Sequence, residues 1–202
     1  MDLKEIKDIF SFNKLNTLPV EKGRVLISNP FHDDNYFHKA IILLCEKNQN
    51  GAFGLVLNNY IKPKLSDFVK EFYNVNCEKH KISIGGPVDN ESIYYVHSRP
   101  DLIQNGVEIS KNLFLGGEFE SIIELIQKDE IATSEIKFFL GYSGWSEGQL
   151  ESEMKKNSWF TANLSTKTIF TYSKKDIWKK TLEKMSEKHK IISNFPVKPE
   201  WN

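Results

Sequence analysis

Residues 136–151 read IKFFLGYSGWSEGQLE, and they combine three local patterns from which the fold around them can be predicted. The first five residues are mostly apolar and predict a β-strand. The next five, GYSGW, predict a glycine-rich turn. Ser146 and Gln149 then have the spacing of a capping box, in which each side chain accepts a hydrogen bond from a backbone N–H that the helix leaves free. We therefore expect a helix over 147–156, directly after the turn.

Short apolar runs separated by turn residues fill much of the chain before and after this stretch. Residues 40–45 form the longest run and predict a strand that is buried on both faces. The turn sequence NQNG separates this run from 52–58, so the two predict a β-hairpin. Gly54 inside the second run predicts a bulge or a close backbone approach. Further strands are predicted over 23–28, 80–84, 92–97, 106–110, 112–115 and 159–164.

Helices are predicted where apolar residues recur at intervals of three and four. This pattern covers 1–12, 65–73, 118–128 and 174–188. The strands and helices do not alternate as they do in a βαβ protein, and short turns join several strands, which favours antiparallel pairing. The 202 residues therefore predict one α+β domain with helices packed on a curved sheet.

The charge balance and the apolar runs argue against several classes of function. Lys and Arg number 27, as do Asp and Glu, whereas a dedicated nucleic-acid binder carries a basic excess. The longest apolar run is far shorter than the roughly 20 residues that a membrane helix needs, so no membrane partner is expected. Two cysteines without a CxxC motif and an N-terminus without a secretory pattern favour a cytoplasmic protein, in which Cys45 is a buried thiol.

Three segments carry distinctive glycine and polar residues. The first is Pro30–Asn58 with Asp34 inside it, the second is GGPV at 85–88, and the third joins GYSGW at 141–145 to GQLE at 148–151. In this order they resemble the motifs of the YqgE/AlgH family of bacterial proteins, over about residues 22–165. The chain departs from the family at Lys47, where many members have a histidine, and at Glu147, where a proline is common.

The resemblance implies a fold but little about activity. It implies an α+β fold in which a bifurcated, largely antiparallel sheet curls into a pseudo-barrel with helices outside. It implies one domain over 1–202, with a C-terminal helix and tail over 173–202. Members are often labelled transcriptional regulators, but no DNA-binding motif is present to carry over. We expect a non-enzymatic binding or interaction module that uses no cofactor.

The candidate binding surface is drawn from the polar and glycine positions of these motifs, because core packing alone would have selected apolar residues there. The predicted site residues are Asp34, Asn58, Gly85, Gly86, Pro87, Gly141, Tyr142, Gly144, Trp145, Gly148 and Gln149. A helix N-terminus beside glycine-rich backbone can hold a small anion. The expected occupant is therefore a small anionic ligand or a protein partner.

Two other functions remain open at this point. Ser143 lies in a near match to the G-x-S-x-G hydrolase motif, but Trp145 stands where that motif requires glycine. A hydrolase would require His97 to lie within hydrogen-bond reach of Ser143. The lysine-rich region 174–190 would be the DNA-contacting surface of a transcriptional regulator, and contact with nucleic acid there would weaken with added salt.

One cluster has the side chains of a metal site without the spacing of one. His32, Asp33, Asp34 and His38 supply two imidazoles and two carboxylates. Their spacing matches no standard ligand pattern, and a turn role is the simpler interpretation of Asp34. We therefore predict no metal site.

Overall fold

A computed structural model describes residues 15–16, 18–30, 35–171 and 176–194, and these residues form a mixed sheet surrounded by short helices. The strands are β1 (Val25–Ser28), β2 (Ile41–Asn48), β3 (Gly51–Val56), β4 (Ile82–Ile84), β5 (Val88–His97), β6 (Val107–Ser110), β7 (Leu113–Leu115), β8 (Ile136–Ser146) and β9 (Trp159–Ala162). The α-helices are α1 (Phe119–Gln127), α2 (Gln149–Lys155), α3 (Thr166–Thr171), α4 (Asp176–Met185) and α5 (Glu187–Ser193). Short 3-10 turns occupy Asn35–Phe37, Leu65–Asp67 and Lys70–Phe72.

The sheet is open, curved and largely antiparallel, as the sequence predicts for an α+β fold. Its strand order is β6-β7-β5-β8-β3-β2-β1-β9, and β4 pairs with β8 outside this path. The β4–β8 pair is parallel, and the other strand pairs are antiparallel. β6, at one end of the sheet, lies close to the start of β1, near the other end: the side chain of Lys22, which precedes β1, donates to the carbonyl of Glu108 in β6 at 3.0 Å.

β8 makes the sheet bifurcate because it changes partners along its length. Its first half pairs with β5 on one side and with β4 on the other, where Phe138 is opposite Ile82. Its second half pairs with β3, where Ser143 is opposite Gly54. Between the halves, Gly141 has φ +67°, a left-handed conformation that other residues adopt only with strain.

Close backbone contact explains why glycines occupy the place where β8 changes partners, which we call the junction. A Cβ atom on Gly141 would lie 2.6 Å from the carbonyl oxygen of Val88. Cβ atoms on Gly85 and Gly86 would overlap the backbone of Gly141 and Tyr142, respectively. These glycines allow the two chain segments to pass close to each other. The predicted turn over 141–145 is wrong, because these residues continue strand β8.

The helix after β8 begins later than predicted. Ser146 stays in the strand, opposite Gly51, and α2 begins at Gln149 with Gly148 as its N-cap at φ +70°. Half of the predicted capping box is nevertheless present, because Gln149 Oε1 accepts hydrogen bonds from the backbone N–H of Ser146 at 3.1 Å and from its hydroxyl at 3.2 Å. Strand pairing with β3 therefore outweighs the local helix signal at Ser146.

Two predicted helices are interrupted. Residues 65–73 form two 3-10 turns instead of one helix, because Val69 between them is extended, with φ −129° and ψ 110°. The predicted helix over 174–188 is divided at Ser186, which is extended and caps α5 by accepting from the backbone N–H of His189. The helix predicted over 1–12 lies outside the described residues.

The predicted hairpin is confirmed and supplies the centre of the core. All of Ile41–Cys45 in β2 is buried, and alternate side chains contact different cores. Leu43 packs in the cluster that contains Phe139, and Leu44 packs in the cluster that contains Trp159. Burial on both faces therefore follows from the uninterrupted apolar run.

Among the described residues, no helix is long and apolar enough to cross a membrane.

The junction predicts different effects for two glycine substitutions with similar backbone angles. Gly148→Ala places a Cβ in open space and is expected to lower the free energy of unfolding by about 1–2 kcal/mol, the cost of a left-handed alanine. Gly141→Ala adds a clash with the backbone of β5 and is expected to cost about 2 kcal/mol more. Urea unfolding of both variants measures the difference, and equal losses would contradict the importance of the close contact.

Candidate functional site

The structure places the predicted site residues in separate surroundings. Gly85 and Gly86 lie against Gly141 and Tyr142 through their backbones. Pro87 follows them as an exposed residue. Asn58, Trp145 and Gln149 have other partners, described below, and Gly148 serves as the helix cap. Asp34 lies outside the described residues, as do His32 and Asp33.

Asn58 joins the start of β2 to the end of β3. Its Oδ1 accepts from the backbone N–H of Ile41 at 2.9 Å, and its Nδ2 donates to the carbonyl of Lys39 at 2.8 Å. It lines a cavity of about 450 Å³ together with Tyr36 and Trp178. This cavity does not include Trp145 or Gln149, so these predicted residues do not share one cleft.

Glu153 is the centre of the polar network behind the GYSGW and GQLE motifs. Its Oε2 accepts from Trp145 Nε1 at 2.8 Å and from Trp159 Nε1 at 2.7 Å. Its Oε1 accepts from Gln149 Nε2 at 3.0 Å. Buried indole N–H groups require such acceptors. Trp145 and Gln149 are therefore held in a structural network, and the residue that organises it was not among the predicted site residues.

Tyr142, Gly144 and Trp145 line a different surface, which we call the aromatic groove. It is an open depression of about 570 Å³. Its lining residues are Glu46, Asn48, Asn50, Gly51, Ala52, Phe53, Val88, Tyr94, Tyr142, Gly144, Trp145 and Ser146. The groove therefore joins the β2–β3 hairpin to β5 and to the second half of β8.

Three aromatic rings pack together in this groove. The ring centroids of Phe53 and Tyr142 are 4.9 Å apart, and Tyr94 lies 5.5 Å from each of them. Gly144 is opposite Phe53 in the strand pair and has no side chain to cover these rings. Sequence reasoning found Tyr142 and Gly144 through their motif. It missed Phe53 and Tyr94, because only strand pairing brings them to the same place.

Hydrogen bonding and charge define one wall of the aromatic groove. The Tyr94 hydroxyl donates to Asp89 Oδ2 at 3.0 Å. Burial, with the hydrogen bond to Asp89, raises the pKa of Tyr94 to about 12. Asp89 has φ +52°, a strained conformation for a residue with a side chain. The groove lining contains the Glu46 carboxylate and, among the described residues, no lysine or arginine.

The structure gives Ser143 and His97 separate partners. Ser143 is buried, and its hydroxyl donates to the carbonyl of Gly85 at 3.1 Å. His97 is fully buried, with Nε2 3.0 Å from the carbonyl of Gly116 and Nδ1 accepting from the backbone N–H of Arg99 at 3.2 Å. Burial lowers the pKa of His97. The two side chains therefore do not form the nucleophile–base pair that a hydrolase requires.

The described part of the lysine-rich region, residues 176–190, lies on the outer surface of α4 and α5. Its apolar stripe packs inward as predicted, with Trp178 and Leu182 buried. The described lysines of these helices are exposed and mixed with acidic residues. Lys179 pairs with Glu183 at 3.9 Å, and Lys190 pairs with Glu187 at 3.6 Å. These glutamates lower the net positive charge of the surface.

No metal site is evident in the part of the chain that the structure describes. There, no three His, Cys, Asp or Glu side chains gather as a metal ion would require. Cys45 and Cys77 are both buried and are not joined in a disulfide. Burial raises the pKa of the Cys45 thiol, in keeping with the buried thiol predicted from its sequence position.

Comparisons with known sequences identify a family and relatives that match most of the chain. The family model described as AlgH-like (DUF179) matches residues 25–190. A UPF0301 protein of Bacteroides thetaiotaomicron is 36% identical over 196 residues, covering 96% of this chain and 97% of the relative. A UPF0301 protein of Cytophaga hutchinsonii is 36% identical over 183 residues, covering 90% and 98%.

Solved structures share the fold. The crystal structure of protein DIP2367 from Corynebacterium diphtheriae superposes with a TM-score of 0.74 at 22% identity, covering 91% of this chain and 97% of that chain. The solution structure of the AlgH protein from Pseudomonas aeruginosa superposes with a TM-score of 0.63 at 26% identity, covering 77% and 84%. Both agree with the curved, largely antiparallel sheet described above.

The Glu153 network predicts that alanine substitutions at two nearby glutamates lower the free energy of unfolding by very different amounts. Glu153→Ala leaves two indole N–H groups without an acceptor and is expected to lower the free energy of unfolding by about 3 kcal/mol. Glu151→Ala removes one exposed ion pair with Lys47 and is expected to cost about 0–1 kcal/mol. Denaturant unfolding followed by tryptophan fluorescence compares them, and similar losses would show that the network is not a stabilising centre.

Proposed function

Because this chain belongs to the AlgH-like family, known also as UPF0301, and these names state no reaction, we propose a function from its geometry: a protein-binding module that holds a short segment of a partner protein in the aromatic groove. The observation that carries the proposal is the packed set of Phe53, Tyr94 and Tyr142 rings in an open groove. Exposed or half-exposed aromatic clusters are typical of binding surfaces, since they bury much area on contact.

The shape of the aromatic groove favours an extended peptide. It is open rather than enclosed, and it lies across neighbouring strands. Grooves lined by aromatic rings bind proline-containing extended segments, whose conformation is already formed before binding. Asn50 lies exposed at the rim and offers an amide to the backbone of such a segment.

The charges in and beside the groove favour a cationic segment. Glu46 lines it, and Asp89 holds the Tyr94 hydroxyl at its wall. An arginine of the partner could pair with a carboxylate and stack on an aromatic ring. A phosphate or a nucleic acid would instead meet these carboxylates without a cation among the described lining residues. We therefore infer that the occupant is a basic segment with proline or aromatic residues.

The test uses short synthetic peptides in which arginine flanks proline and tyrosine, with NMR spectra of the ¹⁵N-labelled protein as the measurement. We expect saturable shifts of the Phe53, Tyr94 and Tyr142 amides. Gly144→Val fills the groove, because its Cβ would already lie 3.1 Å from the Tyr142 ring, and it should weaken binding at least about tenfold. Its strand conformation accepts valine without strain in φ.

Two controls distinguish groove binding from general attraction. Glu108→Val adds the same side chain to an exposed position on β6, outside the groove, and should leave peptide binding unchanged. Peptides with aspartate in place of arginine should bind much more weakly. The proposal fails if no peptide shifts these amides, if both charge forms bind equally, or if Gly144→Val binds as the wild type does.

A further inference from the structure

A buried lysine without a counter-ion among the described residues lies near the start of β8, at the end opposite the aromatic groove. Lys137 is 5% exposed. Its Nζ donates to the carbonyl of Ile169 in α3 at 3.2 Å and lies 4.9 Å from the centre of the Tyr60 ring. No carboxylate pairs with it in the described part of the chain. A carbonyl and an aromatic ring do not neutralise a buried ammonium, and burial without a counter-ion favours either loss of its proton or binding of an anion.

This lysine lines a cavity of about 370 Å³ that contains further donors. Lys79 and Lys81 stand at its exposed side, and Thr133 and Ser134 add hydroxyl groups. Among the described residues that line it, none is a carboxylate. Asp129 lies nearby but pairs with Lys79 at 3.3 Å. The lining is therefore rich in hydrogen-bond donors and positive charge.

A buried polar atom without a hydrogen-bond partner lies in the same cavity as Lys137. His80 lines this cavity and is 7% exposed, and its Nδ1 has no hydrogen-bond partner. Unpaired polar atoms of this kind are uncommon in folded proteins, because burial removes their hydrogen bonds to water. In the tautomer that carries its proton on Nδ1, His80 is a donor, and a ligand that accepts hydrogen bonds would then satisfy His80 and Lys137 together.

We propose that this cavity is a binding site for a small oxyanion of the phosphate class, which supplies the missing counter-ion of Lys137. The hydroxyls of Thr133 and Ser134 and the amines of Lys79 and Lys81 would complete its hydrogen bonds. The site is separate from the aromatic groove, whose lining carries a carboxylate and no cation among the described residues. The two sites therefore select ligands of opposite charge.

The protein should take up a proton when an anion binds in this cavity. Burial lowers the pKa of Lys137 from 10.5 to about 7, so the amine is largely neutral at about pH 8. A bound anion favours the ammonium form and raises this pKa again. Burial also lowers the pKa of His80, with Asp129 opposing the shift, and Tyr60, whose pKa burial raises to about 12, stays neutral.

Calorimetric titration of the wild-type protein with sulfate and with inorganic phosphate tests the site. Sulfate does not titrate near neutral pH, so proton uptake measured in buffers of different ionisation enthalpy belongs to the protein. We expect saturable binding with proton uptake approaching one per site at about pH 8. A phosphate monoester run in parallel tells whether free phosphate or a phosphorylated molecule fits better. Chloride at equal ionic strength should produce neither signal.

Lys137→Met keeps the apolar stem and removes the amine, and it should weaken binding of either anion at least about tenfold and abolish proton uptake. Lys155→Met, at an exposed position on α2, should bind as the wild type does. The proposal is overturned if the wild type binds neither anion above the chloride control, or if Lys137→Met binds as tightly and takes up as many protons as the wild type.

Unfolding measured against pH supplies a readout that does not depend on the ligand. Below the folded pKa of about 7, Lys137 is charged in both states, and the cost of burying that charge is fully present. Above 10.5 it is neutral in both states, so the wild type should gain stability relative to Lys137→Met as pH rises between these values. Sulfate should reduce this gain, and a gain that sulfate leaves unchanged would contradict the proposed site.

Discussion

The close passage of the Gly85–Gly86 backbone against Gly141 and Tyr142 is the constraint on which the rest of the structure depends. It allows β8 to leave β4, to make its last pairing with β5 at Tyr142, and to continue alongside β3. The Gly85 N–H donates to the carbonyl of Leu140 in the first half of β8 at 2.8 Å, and its carbonyl accepts from the backbone N–H of Val56 at 2.9 Å and from the Ser143 hydroxyl at 3.1 Å. This one residue therefore joins both halves of the sheet. Side chains larger than hydrogen would separate these backbones.

The same strand positions both candidate sites. Upstream of the junction, β8 carries Lys137 into the cavity beside Tyr60 and His80. Downstream, it carries Tyr142 and Gly144 into the aromatic groove. The lining of the aromatic groove contains a carboxylate, whereas the lining of the Lys137 cavity contains lysines. The two ends of this one strand therefore lie in sites of opposite charge. Ser143, between them, serves the junction through its bond to Gly85.

Local patterns in the sequence predicted the elements that local forces decide. The apolar run at 40–45 predicted a strand buried on both faces, and its pairing with β3 followed from the turn between them. The glycines at 141 and 144 were misinterpreted as a turn, because their conformational role depends on β3, β5 and Gly85–Gly86, which are distant in the chain. For the same reason Phe53 and Tyr94 were missed, whereas Tyr142 was found. The role predicted for Asp34 stays a prediction.

If the junction at Gly141 unites the two halves of the sheet, they should open together. Native-state hydrogen exchange measured against denaturant tests this directly, with the amides that pair β8 to β5 and those that pair β8 to β3 as the two reporters. The account predicts one free energy of opening and one denaturant dependence for both sets. A β5–β8 half that exchanges through its own, lower-energy opening while the β3–β8 half stays protected would contradict it.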